Sequence, residues 1–61
     1  MANNIDKFIR EKGVKVNFIC EKAKVSRNHF LEIRKGNINP SIVTAKRIAE
    51  ALGVSIDELF G

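Results

Sequence analysis

The stretch KVSRNHFLEIRKG, residues 24–36, decides how this chain folds. Ser26 is a good helix N-cap, Val25 before it can pack on Phe30 as a hydrophobic staple, and Gly36 punctuates the far end. Within the helix so bounded, only Phe30 and Ile33 stand where a core-facing stripe needs them. Asn28, Leu31, Glu32 and Lys35 then point outward, and Arg27 flanks them near the helix start. Those are side-chain types that read base edges: Arg for guanine, Asn for adenine, Glu for the cytosine amino group and Leu for a thymine methyl.

The rest of the chain builds around this helix with the same devices. Glycine and proline interrupt the sequence at Gly13, Gly36, Pro40, Gly53 and Gly61, and no segment alternates with period two long enough to make a strand. A first helix is expected over residues 3–12, with Ile5, Phe8 and Ile9 inward and Gly13 as its stop. A second covers 16–23 and turns Val16, Ile19, Cys20 and Ala23 to one side. A fourth starts after Pro40 and Ser41, buries Ile42, Ala45, Ile48, Ala49 and Leu52, and ends at Gly53. The fifth spans 56–60 behind the capping box SIDE, in which Ser55 caps and Glu58 sits three residues on. The staple also recurs, as Val14 with Ile19 and as Val54 with Leu59. The fold class expected is therefore all-α: a compact five-helix bundle, one domain over residues 1–61, with no linker and no internal repeat.

Composition removes most other function classes. Sixty-one residues lie near the lower limit for a fold without staples and are too few to enclose a substrate pocket. One cysteine excludes an intrachain disulfide and suits a reducing cytoplasmic setting; one Cys with one His makes no metal-ligand set, and no cofactor motif is present. The start MANNIDKF lacks the apolar region of a signal peptide, and no apolar run approaches the roughly 20 residues of a membrane span. No catalytic residues are assigned, since Cys20 and His29 fall on separate helices without a third orienting group. The charge of +4 is unevenly spread: between Lys7 and Lys35 nine Lys/Arg face three acids, whereas residues 36–61 are slightly acidic. On charge alone the first half is either a polyanion-facing surface or a solvated, solubilising face.

Between the second and third helices only Lys24, Val25 and Ser26 intervene, the short connection of a helix-turn-helix. With VSRNHFLEIRKGNINPS and AKRIAEALGVSIDELF, the chain resembles the Cro/repressor-type helix-turn-helix (XRE-like) family from Ile5 to Phe60. The resemblance implies a lambda-repressor-like DNA-binding domain whose third helix enters the major groove of double-stranded DNA. It puts the main base-reading positions on Arg27, Asn28 and Glu32, with Leu31 beside them. The phosphate contacts expected are Lys15, Lys24, His29, Arg34, Lys35 and the backbone around Asn37.

Several residues depart from the family's pattern. Lys24 stands where a turn glycine is usual, so a non-glycine must accept a left-handed conformation or the turn must change. Val16 replaces a phosphate-holding glutamine, and Lys15 occupies an N-cap position it cannot cap, which either leaves helix N–H groups for a phosphate or slightly frays the helix start. A helix 1 arginine and a helix 3 glutamate that pair in many relatives are replaced by Ile9 and Arg34, so Arg34 must reach a phosphate or a carboxylate such as Glu11 or Glu32. Phe18 projects away from the Ile19, Cys20 and Ala23 face, either folding over a neighbouring helix or forming a protein-binding surface. Cys20 is expected as a packed small hydrophobe.

Two functions from different classes compete. The first is a sequence-specific transcriptional regulator that binds as a homodimer, because one recognition helix reads too few base pairs, with Leu59 and Phe60 as the dimer contact. The second is an antitoxin-like or adaptor module whose sticky surface is Phe18, Leu59 and Phe60. Base-reading residues on the third helix favour the regulator.

Overall fold

The computed structural model describes residues 3–61; Met1 and Ala2 lie outside it. Its helices are α1 (Ile5–Lys12), α2 (Val16–Ala23), α3 (Arg27–Lys35), α4 (Ile42–Leu52) and α5 (Ile56–Phe60), and no strand occurs among the described residues. Three of the five begin on a serine. Ser26, Ser41 and Ser55 each accept a backbone N–H three residues ahead, from His29 at 3.0 Å, Thr44 at 3.2 Å and Glu58 at 3.1 Å. Ser55 also donates its own N–H back to the Glu58 carboxylate, which completes the capping box.

Three of the helix ends follow one design. Gly36 and Gly53 are left-handed, and the residue after each returns its N–H five positions, Asn37 to the Glu32 carbonyl and Val54 to the Ala49 carbonyl, both at 3.0 Å. Lys24 closes α2 in the same way at φ 59°, ψ 45°, with Val25 N–H on the Cys20 carbonyl at 3.1 Å. The turn is thus retained without glycine, and Lys24 carries the strain of a left-handed L-residue.

α4 is the hub, laid against α2 and touching α1 and α5. Phe30, Ile5, Ile19, Ile33, Ile48, Leu52 and Leu59 are fully buried, so every helix contributes at least one side chain to a single core. Two expectations about that core need correction. Ile42 is 66% exposed, lining an open groove with Pro40, Ile56 and Phe60 and not the core, whereas Ala51 further along α4 is buried. Leu59 is 0% exposed. It plugs the core from α5, as its staple with Val54 requires, and has no surface to offer a second copy.

The entry into α1 is also two residues later than the sequence suggests. Asn3 Oδ1 accepts the Ile5 N–H at 3.1 Å, and its Nδ2 donates to the Ile33 carbonyl near the end of α3 at 2.8 Å. Asn4 reaches α5, donating its N–H to the Leu59 carbonyl and its Nδ2 to the Glu58 carbonyl, both at 2.9 Å. Adjacent asparagines therefore tie α1 to two other helices. No helix of the described residues is long and apolar enough to cross a membrane.

Candidate nucleic-acid interface

α3 is fixed from within. Phe30 and Ile33 anchor it in the core, Ser26 caps its start, and Asn3 holds its last turn. This leaves Arg27, Asn28, His29, Leu31 and Lys35 exposed, with Glu32 and Arg34 half-buried among them. Beside them lie the start of α2 and the turn: Lys15 is extended and exposed, no side chain caps α2, and the Lys24 side chain is in solvent. All six residues expected at phosphates (Lys15, Lys24, His29, Arg34, Lys35, Asn37) are thus reachable from outside, and so are all four expected at base edges.

The partners differ in part from expectation. Arg34 Nε donates to Asp6 Oδ1 in the first turn of α1, not to Glu11 or Glu32. The physical reason is that α1 packs with its N-terminus against the end of α3, where Asn3 also bonds, which brings Asp6 within reach. Glu32 restrains neither arginine: its carboxylate accepts from Asn37 Nδ2 at 3.3 Å and faces Lys35 Nζ at 4.0 Å. The Asn37 N–H is taken by the Glu32 carbonyl. The Asn37 N–H itself is therefore engaged within the helix end, while residues 37–39 remain exposed beside α3. The Asn37 side-chain amide orients Glu32.

The sequence reading missed a concavity on this face. A cavity of about 260 Å³ lies elsewhere, at Pro40, Ile42, Ile56 and Phe60, but a second of about 250 Å³ is lined by Val16, Arg27, Asn28, Phe30, Leu31 and Arg34. Helical spacing turns Val16 to the inward face of α2 and gives no sign that it also edges the surface of α3. Phe18 does not fold over a neighbour; it is 52% exposed. Cys20 is buried as expected, and burial pushes its thiol up from the ordinary value while Arg27 pulls weakly the other way. No group of His, Cys, Asp and Glu among the described residues could hold a metal ion.

Two helices set by a three-residue turn, the second presenting Arg, Asn and Leu outward beside lysines, form a helix-turn-helix, and the model of the Cro/C1-type HTH DNA-binding domain matches residues 4–61. The chain belongs to this family. It is 35% identical over 43 residues to the immunity repressor protein of Bacillus phage phi105, a match that covers 70% of this chain and 30% of the repressor. It is also 30% identical over 59 residues to an uncharacterized HTH-type transcriptional regulator of Sinorhizobium fredii (strain NBRC 101917 / NGR234), which covers 97% of this chain and 77% of that protein. The chain thus spans under a third of the phage repressor and most of the second relative. As a family member it is an all-helical DNA-binding domain, and α3 stands in the position of its recognition helix.

Proposed function

We propose that this chain is a sequence-specific transcriptional regulator that lays α3 in the major groove of double-stranded DNA. The observation that carries the reading is the division of α3 into a fully buried side and an exposed side bearing Arg27, Asn28 and Leu31. A helix pinned from three directions presents those groups at fixed positions, which base discrimination demands. Arg27, Asn28, Leu31 and Glu32 face the base edges; Lys15, Lys24, His29 and Lys35 hold phosphates, with Arg34 joining them when it leaves Asp6. Regulatory activity in the two relatives' descriptions supports the step from DNA binding to transcription. The reading includes no catalysis, no cofactor and no small-molecule substrate, and its setting is the cytoplasm, in keeping with a single, buried thiol.

The regulator works as a homodimer on half-sites about 34 Å apart. With Leu59 consumed by the core, the contact falls on Phe60 together with Ile42, across the groove they line with Pro40 and Ile56. Ile42 and Val43 are exposed apolar residues on the first turn of α4 and extend that groove into a patch. A second copy is the occupant because a two-fold operator needs a self-complementary surface away from α3.

Selection of bound duplexes from a random pool tests the whole reading. A recovered motif with two-fold symmetry is expected, with affinity falling by about one log unit per log unit of salt for each phosphate contact. A protein-interaction module, favoured by exposed Phe18, is the outcome if no duplex is retained at low salt.

A further inference from the structure

The 250 Å³ notch between α2 and α3 has an uneven chemistry. Its floor is Phe30, 1% exposed, and its walls include Val16 on the first residue of α2 and Leu31, 41% exposed, on α3. Arg27, Asn28 and Arg34 complete the rim. Polar rim groups can meet phosphates and base-edge acceptors, but hydrocarbon at the bottom has no partner among them. In the major groove the one apolar group that a base pair presents is the methyl on C5 of a pyrimidine.

We propose that this notch is a receptor for a pyrimidine 5-methyl group, with Val16 and Leu31 closing on the methyl above Phe30 and the Arg27 and Asn28 side chains engaging the neighbouring base edges. The inference rests on the reading of α3 as the recognition helix, and adds to it a residue from α2 and a ligand chemistry. A methyl fills only part of the volume; the C5–C6 edge of the base and water take the rest. Two natural sources carry this group, thymine and 5-methylcytosine. The notch grips the methyl and not the exocyclic atom at C4, so it accepts both, and cytosine methylation at the matching position of an operator strengthens binding.

The test uses the duplex recovered by selection and the intact chain. Each thymine is replaced in turn by deoxyuridine, which removes the methyl and keeps every hydrogen-bonding group. One position per half-site should lose about fourfold in affinity, the effect of burying a single methyl. In a second arm, cytosine and 5-methylcytosine are compared at that position, and the methylated base should bind about fourfold tighter. Leu31→Ala and Val16→Thr, changes at an exposed and a half-buried residue, should each erase most of the methyl effect, read within each variant as the ratio of its affinities for the thymine and deoxyuridine duplexes. Deoxyuridine neutral at every position with DNA binding intact overturns the notch and leaves the recognition helix standing. A methyl effect undiminished in both variants also overturns it. An effect in the thymine arm with none in the cytosine arm overturns the acceptance of both bases. If no duplex is retained at all, the failure belongs to the DNA-binding reading.

Discussion

Lys24 allows the turn to be tested apart from the charge it carries. Its backbone is left-handed while its side chain is in solvent, so replacement by glycine and by alanine remove the same ammonium but differ in backbone freedom. A left-handed conformation costs an L-residue about 1–2 kcal/mol, and alanine retains that cost. Glycine escapes it but adds conformational entropy to the unfolded chain, which takes back about 0.4–1 kcal/mol. The Lys24→Gly protein should therefore be more stable than Lys24→Ala by about 1 kcal/mol. For a domain of this size that is roughly 4–8 °C in melting temperature. Thermal melts followed by circular dichroism at one salt concentration measure it directly. DNA affinity should fall equally in both variants if Lys24 holds a phosphate. An alanine variant as stable as the glycine variant would mean that the turn is not left-handed at this position, and the account of how α2 meets α3 would be wrong.

Other perturbations separate structure from recognition. Leu59→Ala empties a fully buried site and should cost about 2–5 kcal/mol in chemical denaturation, whereas Phe60→Ala should keep the fold and lower the dimer fraction seen by sedimentation. Asp6→Asn breaks a pair whose partners are both partly in solvent, so stability should shift by less than about 1 kcal/mol; Arg34 is then released, and non-specific DNA affinity in filter binding should rise. Glu32→Ala should also raise non-specific affinity, but lower discrimination between the selected site and random duplex. The folded state prefers the Cys20 thiol protonated, so its contribution is intact below the ordinary thiol value of 9.0 and is lost as pH rises beyond it. Urea midpoints between pH 7 and 10 should fall more for the natural chain than for Cys20→Ala.

What could be read in the sequence was what neighbours along the chain decide. Ser26, Ser41 and Ser55 cap within three residues and the glycine stops act within five, so α3, α4 and α5 begin and end where expected. The outward face of α3 was legible for the same reason, since helical spacing fixes it once Phe30 and Ile33 point inward. Contacts between distant segments were not. Nothing near Asp6 announces Arg34, and Asn3 and Asn4 read as ordinary helix-start residues although their side chains end on carbonyls of α3 and α5. Ile42 and Leu59 show the limit from the other side. Both sit on apolar positions of their helices, and only the packing of α4 against α5 decides which is covered.

The paired asparagines also imply an order of assembly. α2, α3 and α4 follow one another along the chain, so the core of the bundle can form by closing short loops. The link from Asn4 to Leu59 spans nearly the whole chain and closes a far larger loop. Five residues make α5 too short to persist unaided, so it forms only when that link and the Leu59 plug arrive together. The first and last helices should therefore be the last to join and the first to part. Brief excursions from the native state should open the two extremities jointly and free the Ile33 carbonyl of α3 from Asn3 at the same moment.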